Sequence, residues 1–251
     1  MATSAPVPRT PLRAGTPVGA SLTEGESARY TFSNPAPAFG MDAAAVSFVL
    51  TPAGDGDPDM FVAVGKEPTR HEYDWAGVAQ GGDVVTIWPY TPGYCSGCTY
   101  HVLVDAYAAA EYEIVARNLG WMATPTILRP GIPLRDAAHK GEYRFYTFAV
   151  ATDASVEVTV TPLAGDADVY ASFDNRNPTA SRHNFSAATG GAAQADTLSI
   201  SNLDDGFCPS GHSDVVCTLH LAVFGFSNTS YTIVASQPEQ ELALRLASGV
   251  P

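Results

Sequence analysis

The chain has 251 residues, 45% hydrophobic and 16% charged with 22 Gly and 19 Pro, a composition too apolar for disorder and rich in turn formers. Its 13 basic and 26 acidic residues give a net charge of −13, which repels nucleic acid and anionic lipid and argues against both as partners. No apolar run approaches the roughly 20 residues of a membrane span, and Met1 to Pro8 lacks the basic start and apolar stretch of an export signal.

In chain order, the phrase Leu12-Arg13-Ala14-Gly15-Thr16-Pro17 comes first. It returns as Leu128-Arg129-Pro130-Gly131-Ile132-Pro133 and again as Leu246-Ala247-Ser248-Gly249-Val250-Pro251, each about a domain length after the last. Five further blocks repeat in one order. Tyr30-Thr31-Phe32, Leu50-Thr51-Pro52, Asp57-Pro58-Asp59-Met60-Phe61, Cys98-Thr99-Tyr100-His101-Val102 and Tyr112-Glu113-Ile114-Val115-Ala116 match Tyr146-Thr147-Phe148, Val160-Thr161-Pro162, Asp166-Ala167-Asp168-Val169-Tyr170, Cys217-Thr218-Leu219-His220-Leu221 and Tyr231-Thr232-Ile233-Val234-Ala235. The pattern predicts repeats over 12–118 and 128–237, a linker over 119–127 carrying Trp121 and Met122 packed between the domains, and a tail over 238–251 that resembles the start of a third repeat. Segments such as Val46–Leu50, Met60–Val64, Val84–Trp88 and Tyr100–Val104 are short, β-branched or aromatic, and bounded by Gly, Pro, Asp and Asn. Val156 to Val160 alternates with its valines on one face, and Glu241 to Leu246 alternates with the same period. Six to eight strands per repeat and no helix imply an all-β chain of two tandem antiparallel β-sandwich domains with jelly-roll-like connections.

Cys98 and Cys217 open equivalent strands, and Cys95 and Cys208 lie upstream of them. Pairing within each repeat, Cys95 with Cys98 and Cys208 with Cys217, suits an oxidising compartment and an extracellular or cell-surface location. A redox centre needs its first thiol at a helix start, and a zinc site needs four ligands, so neither alternative is favoured. Asn184-Phe185-Ser186 and Asn228-Thr229-Ser230 are glycosylation sequons.

Together, Arg29-Tyr30-Thr31-Phe32, the acidic turns entering a strand at Asp57 and Asp166, and the closing Tyr-x-Ile strand resemble the bacterial pre-peptidase C-terminal domain. The resemblance spans most of both repeats. It implies a compact, non-catalytic β-sandwich of the kind attached to secreted peptidases, related in fold to collagen-binding modules. The paired cysteines and the greater repeat length fall outside that family's pattern.

Asp55, Asp57 and Asp59 alternate, and Asp166 and Asp168 keep part of the pattern. In an extended turn this spacing can gather carboxylates around a hard cation such as calcium; the same aspartates also serve as turn formers without metal. His101 and His220 occupy equivalent strand positions, and His71 and His183 lie in corresponding loops; these read as hydrogen-bonded or solvent-facing residues. Trp88, Tyr90 and Tyr94 place three rings in seven residues, a candidate surface for a sugar face or a peptide proline, or a cover for the end of the sandwich. No nucleophile elbow, zincin motif or phosphate loop occurs, and His212, Ser213 and Asp214 are chain neighbours that point apart, so the chain is expected to be a non-enzyme. Two functions follow as expectations. The first is a structural or adhesive extracellular repeat whose partners are neighbouring copies. The second is a targeting module that holds a secreted peptidase or glycosidase on glycan or collagen-like material.

Overall fold

The computed structural model describes residues 8–38, 42–119, 124–188, 194–208 and 216–237. Among them the chain is all-β, with 18 strands in four sheets and no helix, and it divides into two compact units after Thr124.

The first unit runs β1 (Thr10–Pro11), β2 (Val18–Leu22), β3 (Ser27–Asn34), β4 (Ala45–Pro52), β5 (Pro58–Val64), β6 (Trp75–Gly77), β7 (Asp83–Ile87), β8 (Cys98–Ala106) and β9 (Ala110–Leu119). They form a five-stranded sheet, β1-β3-β8-β5-β6, and a four-stranded sheet, β2-β9-β4-β7. The second unit runs β10 (Thr126–Ile127), β11 (Leu134–Ala138), β12 (Tyr143–Ala151), β13 (Val156–Ala164), β14 (Ala167–Ser172), β15 (Phe185–Ala187), β16 (Asp196–Ile200), β17 (Val216–Gly225) and β18 (Thr229–Ser236). Its sheets are β10-β12-β17-β14-β15 and β11-β18-β13-β16. Strand for strand, the second unit repeats the order of the first, so the repeated blocks of sequence carry a repeated topology.

The alternation of β13 explains how such a strand forms. Val156, Val158 and Val160 are buried and Glu157 is exposed, as a period of two requires when one face lies on a core. In the first unit that core is built from both sheets. Tyr30 and Phe32 of β3, Met60 and Val62 of β5, and Tyr100, Val102 and Val104 of β8 cluster with Val46, Phe48 and Leu50 of β4 and Tyr112, Ile114 and Ala116 of β9. Phe48 meets Phe32 edge-on at 5.9 Å between centroids, and each fully buried side chain of this size contributes about 1.5–3 kcal/mol. A sheet-to-sheet hydrogen bond crosses the core at the same place in each unit: Tyr30 to Tyr112 at 2.7 Å, and Tyr146 to Tyr231 at 2.6 Å. The pair satisfies two hydroxyls that burial would otherwise make costly.

Two strands depart from the antiparallel expectation. β1 pairs parallel with β3 and β10 parallel with β12, and each is only the entry to the repeated Leu-x-x-Gly-x-Pro phrase. Leu12 is buried and donates its N–H to the Thr31 carbonyl of β3, while Gly15 donates to Ala116 of β9 in the other sheet. Leu128 and Gly131 make the equivalent bonds to Thr147 and Ala235. The phrase is thus a strap that pegs a leucine into the core and crosses the open side of the unit from one sheet to the other. Gly15 and Gly131 turn the chain at φ 72° and 69°, left-handed values that favour glycine. The expected linker, 119–127, contributes Leu119 to β9 and Thr126–Ile127 to β10, because the strap begins two residues earlier than its leucine. Trp121, Met122, the alternating tail from Glu241 and the third phrase at Leu246 lie outside the described residues.

Candidate functional site

The aromatic loop after β7 is fixed by its own short hydrogen bonds. Thr91 Oγ1 accepts from the Trp88 N–H at 3.1 Å, the Thr91 N–H returns to the Trp88 carbonyl, and the Tyr94 N–H bonds to Thr91. This turn sets the Trp88 and Tyr90 rings parallel, 3° between planes and 6.1 Å between centroids. Tyr90 is 81% exposed. Tyr94 belongs to the anchor instead: it packs on the core and donates its hydroxyl hydrogen to the Ala44 carbonyl at 2.8 Å. Of the three rings singled out in the sequence, two form a surface and the third holds it in place.

The neighbouring disulfide is tied to the same framework. Cys95 pairs with Cys98 and Cys208 with Cys217, each with Cα atoms 6.0 Å apart. Buried Asn34 at the end of β3 donates to the Cys95 carbonyl and accepts from Asn118, both at 2.8 Å. The Tyr100 hydroxyl bonds to the Cys95 N–H and carbonyl. The Cys95–Cys98 segment is therefore a turn at the mouth of β8.

The acidic turns divide by burial. Asp55 and Asp57 are exposed, and Asp57 accepts from the Gly81 N–H at 2.8 Å. Asp59 is buried in β5 opposite Asp105 of β8; burial, then the charges of Asp57 and Asp105, push its carboxyl above the usual aspartate range, with Arg70 opposing. In the second unit Asp168 is buried and raised in the same way, by burial, Asp166 and Asp196. It also accepts from the Tyr170 hydroxyl at 3.4 Å, and that hydroxyl is pushed up to about 12, by burial first and the Asp168 charge next. Among the described residues no three or more His, Cys, Asp or Glu side chains gather where they could hold a metal ion.

The busiest polar region, the outer face of each five-stranded sheet and the loop that folds over it, shows in the sequence only through its paired histidines. In the first unit, the loop of residues 65–74 is fastened by charge. Glu67 lies 2.7 Å from Arg9, 3.7 Å from Arg29 and 3.0 Å from His101 Nδ1. Arg70 takes both carboxylate oxygens of buried Asp105, at 2.6 and 3.0 Å. In the second unit, the loop of residues 173–184 is fastened by hydrogen bonds and aromatic contacts, with no ion pair among the described residues. Ser172 Oγ donates to Asn184, Asn175 donates to the Arg182 carbonyl, and the Ala180 N–H donates to the Tyr143 hydroxyl. The Tyr143 ring packs 4.7 Å from Phe224, and the Tyr170 ring 5.1 Å from His183. His101 and His220 both lie on these outer faces, at matching places in β8 and β17; burial and the Arg176 charge hold His220 below its ordinary range. The bridges Thr69 to Glu72 and Thr179 to Arg182 align the two loops, and the alignment puts Tyr73, two residues from His71, at the place of His183.

Both sequon asparagines are exposed. Asn184 accepts from Ser172 and Asn228 from the Lys140 N–H at 2.9 Å through their carbonyl oxygens, so neither bond uses the amide nitrogen that glycosylation modifies. His212, Ser213 and Asp214 lie outside the described residues. No protein-family model matches the chain, and no curated protein matches it.

Proposed function

We propose that the chain is a non-catalytic extracellular repeat module with a structural or adhesive role, built of two tandem jelly-roll-like sandwiches akin to the pre-peptidase C-terminal domain. The observation that carries this reading is the strap. Each unit closes its sandwich with the same Leu-x-x-Gly-x-Pro crossing, and a third copy of that phrase stands at Leu246. A repeated closing device is what a polymer of units needs, and edge strands or unlike surfaces of neighbouring copies then supply the contacts. The two disulfides fit an oxidising compartment. Calcium enters this reading only as a ligand of exposed Asp55 and Asp57, the two carboxylates of the turn that solvent reaches.

Sedimentation velocity of the chain over a range of concentrations, in calcium and then in chelator, tests the reading. Species larger than a monomer are expected, and their loss in chelator would assign the acidic turns to metal. A monomer under every condition would reject the structural role.

The parallel Trp88 and Tyr90 rings favour a second reading, a targeting module that stacks on glycan or collagen-like material. Replacing both by Ala should abolish retention on such a matrix while leaving the thermal midpoint within a few degrees, as expected for surface changes. A large loss of stability with no ligand found would assign the rings to packing.

A further inference from the structure

The duplicated fold allows charges to be compared position by position, and the outer-face loops differ in a consistent direction. In the first unit each cation of the loop has an acidic partner: Lys66 has Glu72 and Asp74 at 3.3 and 3.5 Å, and Arg70 has Asp105. Aligned through the bridges at Thr69 and Thr179, the second unit has Arg176 at the place of Lys66, Asn177 at Glu67, Arg182 at Glu72 and Asn184 at Asp74. Strand register puts Phe224 at the place of Asp105, since Asp59 faces Asp105 and Asp168 faces Phe224. Only the Lys66 cation is kept, as Arg176; Ala180 stands at the place of Arg70, Arg182 is a cation where Glu72 is an acid, and none of the aligned acidic positions keeps its carboxylate. Arg176 and Arg182 are exposed, and among the described residues neither side chain makes an ion pair.

The first unit carries the complement. A recess beside the β4–β5 turn is lined by Ser21, Leu22, Asp55, Gly56, Ala110 and Glu111. Asp55 and Glu111 are exposed carboxylates that make no ion pair among the described residues. In the second unit the matching turn is Leu163-Ala164-Gly165, and Ser230 stands where Glu111 does, because Pro162 and Ala164 face Tyr231 and Ser230 as Pro52 faces Tyr112. One unit thus carries an acidic recess that the other lacks, and the other carries unneutralised arginines that the first lacks.

We propose that the Asp55–Glu111 recess of one molecule receives Arg176 and Arg182 of a second copy. The contact joins unlike surfaces, so it is heterologous and propagates from copy to copy unless it closes into a ring. Copies of a chain with net charge −13 repel one another in general, so local pairing of opposite charge sets the docking register. The inference rests on the structural reading above and assigns it a surface.

Charge-swap variants, followed by sedimentation over a concentration series, test it without ambiguity. Asp55→Lys with Glu111→Lys lowers the net negative charge and so weakens general repulsion, yet it should weaken association about tenfold or more. Arg176→Glu with Arg182→Glu should weaken it similarly, and the neutral pair Arg176→Gln with Arg182→Gln separates loss of pairing from added repulsion. All four substitutions combined restore the parental net charge and should restore association. Thermal melts confirm folding, since every altered residue is exposed. If the lysine variant associates as well as the parent, or the combined variant fails to recover, the assignment is overturned. Parental assembly that ignores all of these variants rejects this surface and leaves the structural reading standing, whereas a parent that is monomeric throughout rejects both.

Discussion

The two units fold to the same strand order and solve the same two polar problems differently. Inside, the first unit bonds Tyr30 to Tyr112 with no carboxylate opposite, Ala20 of β2 facing Tyr112. The second places Asp136 at the corresponding position of β11, where it accepts from the Tyr146 hydroxyl. Outside, the first unit fastens its loop with ion pairs and the second with amides, hydroxyls and rings. The apolar core, the strap and the tyrosine pair are held in common, and the polar fastenings around them are interchangeable. Burial makes an unpartnered polar group costly, and the two units supply partners of different chemistry.

The largest effect that would sharpen this contrast is at Arg70. Arg70→Ala leaves the Asp105 carboxylate, 2% exposed, without its guanidinium, and a cost of about 2 kcal/mol is expected, below the full range for buried pairs because Arg70 itself reaches solvent. Hydrogen exchange should then rise across residues 65–74. About 1 M salt should produce a weaker version of the same change there and none across 173–184. Equal salt response in the two loops would break the distinction between charged and neutral fastening.

Inside the sandwich, Tyr146→Phe removes one donor from a buried carboxylate and should cost about 2 kcal/mol, against about 1 kcal/mol for Tyr30→Phe, where only a neutral hydroxyl loses its partner. Adding Asp136→Ala to Tyr146→Phe removes the carboxylate that has lost its donor and should recover part of the loss in urea denaturation. Additive losses would mean that Asp136 and Tyr146 are not coupled.

The smallest effect is at Asp59. Its carboxyl holds a proton more tightly in the fold than in the unfolded chain, so this residue removes stability as pH rises from the ordinary aspartate range through its raised value. Asp59→Asn should therefore stabilise by about 0.5 kcal/mol at neutral pH, and the gain should vanish below about pH 4. Thermal melts at both pH values check the sign.

Much of this architecture was legible in the sequence because it is written locally. The valines of β13 alternate in plain view, and the tyrosines at 30, 112, 146 and 231 recur at matching places. The short strands β1 and β10 were not legible, since two residues have no period and their parallel pairing depends on where the strap lands. The aromatic loop showed its rings but not their division of labour, because whether Tyr94 turns inward depends on the distant Ala44 carbonyl. The alternating aspartates looked alike, whereas tertiary packing buries Asp59 and leaves Asp55 and Asp57 in solvent. Arg70 and Asp105, or Glu67 and His101, are far apart along the chain and meet only when a loop folds over a sheet.

The strap has an evolutionary consequence. Gly15, at the entry to the first unit, is hydrogen-bonded to Ala116 in its last strand, and Gly131 to Ala235 likewise in the second. Each unit therefore starts and finishes at one spot, like a loop of thread drawn closed. Closely spaced ends are what allow a domain to be inserted or rearranged without disturbing its interior. A gene segment cut just before one strap and just before the next encodes a self-closing unit, so copies can be gained or lost by recombination without redesigning a core.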